Sequence, residues 1–158
     1  MTPFQCIPVD GAVAAQFRTG RDARGNAVRR MVAMDGRGFP CRHCLCCAAD
    51  GEEVLLGSYD LPRPRGVYWT PSPIFMHAEP CEPFVADCEV APIVRLNGLV
   101  SVRAYDAGDQ CLYDLGEVCT GAEVDAPLQR ALTDRRTSFV NIHTARPGCL
   151  LCRVERVG

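Results

Sequence analysis

The chain has 158 residues, 47% of them apolar and 23% charged, a length and balance suited to one folded domain over residues 1–158 with one core. A formal charge of −2 offers no basic surface to a nucleic-acid backbone or an anionic membrane, and no apolar run reaches the roughly 18 residues needed to cross a bilayer. All 17 basic residues are arginine, which excludes Schiff-base lysine chemistry and the phosphate-binding lysine of a P-loop.

The bias toward Ala, Arg, Gly and Pro suggests a GC-rich bacterial source. Met1 to Phe17 lacks a basic segment followed by an apolar one, so no secretory leader is expected and the cytoplasm is the expected compartment. The 11 cysteines are therefore read as thiols, metal ligands or small core residues. Their odd number fits that reading, because full pairing would leave one over.

Phe4 to Val9 is a short apolar run that predicts a strand, and Ala12 to Phe17 a short helix. Thr19 to Asn26 is polar with two glycines and reads as a loop. Ala27 to Met34 alternates weakly, as a second strand would, and Gly36, Gly38 and Pro40 end it. Glu53 to Tyr59 predicts a strand. Leu61 to Gly66, with two prolines and a glycine, predicts an exposed connection. Pro73 to His77 is again strand-like, and Pro80 to Pro92 is irregular. Leu99 to Tyr105 alternates with period two, Asp106 to Asp109 is a turn sequence, and Cys111 to Val118 continues as the second arm of a hairpin. Val124 to Leu132 predicts a helix with Leu128, Ala131 and Leu132 on one face and Glu123 and Asp125 at its positive N-terminal end. Phe139 to Ile142 and Leu150 to Val157 are the last strands. This order favours an α+β domain with a central, largely antiparallel or mixed sheet and a few short helices over an alternating βαβ array.

Two short pairs carry the most specific chemistry. Cys41-Arg-His-Cys44 and His77-Ala-Glu-Pro-Cys81 together spell C-x2-C-x32-H-x3-C. Zinc takes four soft or borderline ligands in a tetrahedron, and two short-spaced pairs on separate turns can supply them. Cys41, Cys44, His77 and Cys81 are the candidate ligands of one zinc ion. The bland alternative makes the cysteines small buried hydrophobes and His77 a satisfied core histidine. Cys149-Leu-Leu-Cys152 repeats the C-x2-C spacing, but residues three apart on a strand point to opposite faces, so Cys152 reads as core. Cys6, Cys88, Cys111 and Cys119 read as packing, His43 as exposed, and His143 as a surface histidine at a strand end.

The same segments contain the words of a zinc deaminase site. Pro40-Cys-Arg-His-Cys44 matches P-C-x-x-C, and His77-Ala-Glu79 matches H-x-E. The order is reversed and the strand–helix context is absent, so homology to deaminases is rejected. A zinc-dependent hydrolase-type enzyme remains an alternative, with two Cys, one His and Glu79 as acid/base; it requires Cys81 to stay off the metal. A thiol redox or sensor protein is the third reading, resting on vicinal Cys46-Cys47 and the two C-x2-C pairs.

The strings Phe39-Pro-Cys-Arg-His-Cys-Leu45, Gly51-Glu-Glu-Val-Leu-Leu56 with Tyr59, Pro73-Ile-Phe-Met-His-Ala-Glu-Pro-Cys81, Ala145-Arg-Pro-Gly-Cys149 and Arg153-Val-Glu-Arg156 resemble the DUF1203 family of bacterial proteins of unknown function. The resemblance runs from about Phe4 to Arg156. It implies a single-domain protein of about this length and no particular activity. Cys41, Arg42, Cys149, Arg153 and Arg156 match the family pattern. Relatives often carry other residues where Cys44 and His77 stand, which implies that metal binding belongs to a subset of the family. Arg42, Arg153 and Arg156 could donate to an anion or carboxylate, or form structural ion pairs with Glu155 or Glu53. Exposed strand edges allow a homodimer, and the substrate or ligand is left open.

Overall fold

A computed structural model describes residues 1–35 and 38–158; the expected turn residue Gly36 lies outside the described residues. Among the described residues, eight strands and three α-helices follow one another as β1 (Phe4–Ile7), α1 (Gly11–Arg18), β2 (Arg29–Val32), β3 (Glu53–Asp60), β4 (Pro71–His77), α2 (Pro92–Arg95), β5 (Val100–Tyr105), β6 (Glu117–Cys119), α3 (Asp125–Thr133), β7 (Phe139–Thr144) and β8 (Leu150–Arg156). The class is α+β. The strands form two antiparallel sheets, where the sequence suggested one: five strands in the order β1-β8-β7-β5-β6, and three in the order β2-β3-β4.

Period-two patterning explains the larger sheet. Val100, Val102 and Ala104 of β5, Val140 and Ile142 of β7, and Cys152 and Val154 of β8 are buried on one face. Helix α3 covers that face with Leu128, Ala131 and Leu132, which recur at helical spacing behind Val124. The other face carries the cross-strand row Ile7–Arg153–Asn141–Arg103.

The smaller sheet is covered on both sides. Leu55 of β3 and Ile74 and Met76 of β4 pack under α1, whose Asp10 cap accepts from the Ala12 N–H at 2.8 Å. The Phe17 ring sits directly on Gly57 of β3, close enough that a Cβ there would lie 2.6–2.8 Å from it. On the opposite face, Val54 packs with Ala33 and Ala48, and Phe75 meets Phe39 edge-on at 5.3 Å between centroids. His77 pairs with Val54 across the β3–β4 ladder, so both side chains share this second face.

Two local readings change. The expected strand from Cys111 to Val118 is broken by a 3-10 turn at Tyr113–Leu115, which tucks Leu115 into the core and leaves β6 three residues long. The connection after β3 is not fully exposed: Leu61 and Pro64 are buried. The irregular stretch after Pro80 ends in the short helix α2, begun by Pro92, whose missing N–H costs nothing in a first helical turn.

Candidate metal centre

Residues 39–48 form a tight hairpin. Pro40 bridges Cys47, the Cys41 N–H donates to the Cys46 carbonyl at 3.0 Å, and the Ala48 N–H to the Phe39 carbonyl at 2.9 Å. The turn brings Cys41 and Cys44 to one side and leaves Leu45 at φ 54. That left-handed conformation is uncommon for a bulky residue. Leu45 tolerates it because its side chain is wholly buried in the core of the larger sheet. The hairpin backbone is tied outward on every side. Arg42 N–H donates to Phe75 O, Val9 N–H to Arg42 O, Phe84 N–H to His43 O, and Ile93 N–H to Leu45 O.

Those ties set the hairpin against the end of β4. Cys41, Cys44, His77 and Cys81 each place a ligand atom within 4.8 Å of the other three. Cys41 Sγ lies 3.9 Å from Cys81 Sγ, and Cys44 Sγ lies 3.5 Å from His77 Nδ1. A zinc tetrahedron with Zn–S of about 2.3 Å and Zn–N of about 2.05 Å has S···S edges of about 3.8 Å and S···N edges of about 3.5 Å. The donor types are those that zinc takes and these two edges match its tetrahedron, so the group could hold a metal ion. Cys41 is buried and the other three are half-buried.

The second nitrogen of His77 is also occupied. Nε2 lies 3.0 Å from Glu52 Oε2, which also accepts from the Ala49 N–H at 2.7 Å. A carboxylate on one imidazole nitrogen fixes the tautomer and turns the other lone pair toward the thiols. These two hydrogen bonds, Ala49 first, hold the Glu52 carboxyl below its ordinary range. Glu52 was not singled out from sequence. Its role depends on the β3–β4 register, which no local motif reveals.

Three thiols this close cannot all ionise without a cation. The Cys44 thiol brings Cys41 down to about 4, against burial and with help from the backbone N–H groups of Cys44, His43 and His77. The same contact pushes Cys44 above the thiol range. Cys81 is raised by burial and then by the negative Cys41. The cluster by itself stabilises one thiolate; a divalent cation would stabilise three.

The other singled-out residues lie elsewhere. Glu79 is exposed in the bend after β4, outside the cluster. Cys46 is exposed and Cys47 half-buried, with its thiol raised by burial. Cys152 is buried, as expected, whereas Cys88 is exposed rather than packed. His43 is half-buried, not exposed, and its Nδ1–H donates to the Val9 carbonyl at 2.7 Å. His143 is not a surface residue: it is 3% exposed, its Nδ1–H donates to the Gly148 carbonyl at 2.9 Å, and burial, then Arg103, lowers it to about 4.

The three arginines do not converge on one anion site. Arg42 is buried; its Nε–H donates to Leu150 O and its Nη1–H to Pro40 O, both at 2.6 Å, stitching the hairpin to β8. Arg153 Nε lies 2.7 Å from a carboxylate oxygen of Glu155, and Arg156 donates to the carbonyls of Leu132 and Thr137 beyond α3. Glu53 pairs with Arg30 instead.

The molecule is thus an α+β protein with a Cys3His cluster at the seam between a hairpin and a sheet. Residues 38–156 match the family described as protein of unknown function (DUF1203), and the chain belongs to that family. The match includes all four cluster residues and Glu52, and begins after β2. No curated protein and no solved structure matches the chain. Among the described residues no helix is long and apolar enough to cross a membrane.

Proposed function

We propose that this protein is a zinc-binding module in which Cys41, Cys44, His77 and Cys81 hold one structural Zn²⁺, tying the 39–48 hairpin to the end of β4 within a single domain. The observation that carries the reading is the pair of cluster edges, 3.9 Å between Cys41 and Cys81 sulfurs and 3.5 Å from Cys44 sulfur to His77 Nδ1, which match a zinc tetrahedron. The Glu52–His77 hydrogen bond is the usual outer support of a metal-bound imidazole. Charge supports it too. Zn²⁺ with three thiolates and a neutral imidazole carries −1, and the buried Arg42, lowered by burial to about 10 but still cationic near neutral pH, has no carboxylate partner among the described residues. Its positive charge and the site's negative one offset each other across the hairpin.

A structural role is favoured over a catalytic one because Cys81 takes the position that an open zinc site leaves to water, while Glu79 is exposed outside the cluster. The eleven free cysteines suit a reducing compartment such as the cytoplasm. Elemental analysis of protein purified without added metal or chelator tests the proposal. One zinc per chain is expected, lost in both Cys44→Ala and Cys81→Ala. Zinc retained by Cys81→Ala would move the open site with Glu79 to the front. A metal-free wild type would end the zinc reading.

A further inference from the structure

A second site lies away from the cluster, between the two sheets. A cavity of about 200 Å³ is floored by the row Ile7, Arg153 and Asn141 on the second face of the larger sheet. Tyr59 and the segment Leu61–Arg63 close it from the end of β3, and Val9 and Asp10 form its side. The wall is apolar at Ile7, Val9, Leu61, Pro62 and Leu150, and polar at a few groups, as small-molecule sites are.

The polar groups divide into engaged and unengaged. Arg63 is engaged: its guanidinium binds Asp109, its carbonyl accepts from Asn141 Nδ2 at 3.1 Å, and it stacks over Phe139 at 4.0 Å. Arg153 is engaged by charge alone: its buried Nε lies 2.7 Å from a Glu155 carboxylate oxygen, but its N–H is not aimed at that carboxylate and finds no hydrogen-bond acceptor among the described residues. A buried cationic donor without an acceptor is costly and marks a place for one. The Tyr59 hydroxyl also has no hydrogen-bond partner among the described residues. Burial keeps its phenol protonated, and it feels both Arg153 and Asp10. Asp10 spends one oxygen on the Ala12 N–H, and its other oxygen has no hydrogen-bond partner among the described residues.

A cation and an anion on one small, largely apolar cavity call for a ligand with both charges. Glu155 and Asp10 offset Arg153, so a dianion such as phosphate gains little. The volume is slightly more than the roughly 150 Å³ that accommodates benzene in an engineered apolar cavity. We propose that this cavity binds a small α-amino acid with a short branched apolar side chain, its carboxylate on Arg153 and Tyr59 and its ammonium on Asp10.

Titration of the zinc-loaded protein with L-valine tests this, with isovalerate as valine without its amine and isobutylamine as valine without its carboxylate. Calorimetry and ¹H–¹⁵N NMR are the readouts. Valine is expected to bind and to shift the Arg153 Nε–H and Asn141 side-chain signals, with each half-molecule at least about tenfold weaker. Arg153→Gln should weaken valine at least about tenfold. Asp10→Asn, which keeps the helix cap, should bring valine down to the affinity of isovalerate. Unfolding curves and zinc content check that both variants are intact, so a failed metal reading is separable from a failed ligand reading. The proposal is overturned if valine shows no saturable binding below about 10 mM, if isovalerate binds as tightly, or if an intact Arg153→Gln protein binds valine unchanged.

Discussion

The two sheets solve the burial problem differently. The five-stranded sheet rests on one continuous apolar layer, with Val102, Ile142, Leu151 and Val154 meeting Leu128 and Leu132 of α3. The three-stranded sheet has two thin patches, Phe17 with Leu55, Ile74 and Met76 on one face, and Ala33, Ala48 and Val54 on the other. The second of these includes two alanines, and the Cys3His cluster lies at the end of β4 beside it, with His77 on the same face as Val54. Where little apolar area can be removed from water, a metal tie between hairpin and strand can do what a larger core does elsewhere.

Removing the proposed zinc should break the comparison most strongly. Apparent binding energies of structural zinc are on the order of 10 kcal/mol and are coupled to folding. Chelation, or Cys44→Ala, is expected to raise hydrogen exchange throughout β2, β3 and β4 while β7 and β8 keep most of their protection. Equal loss in both sheets would show that the cluster and the large core form one cooperative unit. The reverse experiment is Leu151→Ala, which removes a fully buried side chain from the larger core. It should cost about 2–5 kcal/mol in denaturant unfolding and leave zinc stoichiometry unchanged.

A pH experiment sharpens the contrast within the larger sheet. His143 has a folded pKa of about 4 against 6.5 for an ordinary histidine, because burial disfavours the imidazolium. The unfolded chain therefore takes up a proton before the folded one does. Its contribution is fully present above about pH 6.5 and is lost as pH falls toward 4, about 3 kcal/mol in all. His143→Gln should unfold less steeply with acid than wild type over that window, as read by chemical denaturation at pH 7, 5.5 and 4.5. Parallel curves would mean that His143 is solvated in the folded protein.

Sequence periodicity made several elements readable. Alternation marked Val100–Tyr105, and helical spacing marked Leu128, Ala131 and Leu132. The spacing C-x2-C and H-x3-C picked out four residues that the fold brings together, because each pair sits on one turn and needs no long-range knowledge. What stayed hidden depends on partners distant in sequence. Glu52 reaches His77 through the β3–β4 register, and Arg42 meets β8 at Leu150. The burial of His143 needs the sheet around it as well as the nearby Gly148 carbonyl. The break near Leu115 leaves no mark in the alternation, because Leu115 serves the core from a 3-10 turn rather than from a ladder.

The smallest expected effect tests the thinner of the two designs directly. Helix α1 approaches β3 closely because position 57 has no side chain, and Phe17 fills that space at 1% exposure. A methyl group there would meet three ring atoms at 2.6–2.8 Å, inside any tolerable carbon–carbon contact. The ring is enclosed, so helix and strand must separate, at about 1–3 kcal/mol. Gly57→Ala should therefore lower stability by that amount and loosen α1 over Leu55 and Met76. It should leave zinc content at one per chain, since Gly57 and its Phe17 contact lie along β3 while the cluster sits at the far end of β4, with His77 on the Val54 face. Loss of zinc in this variant would mean that the α1 contact and the metal end of the small sheet are coupled, and that the metal stabilises the whole three-stranded sheet rather than one end of it.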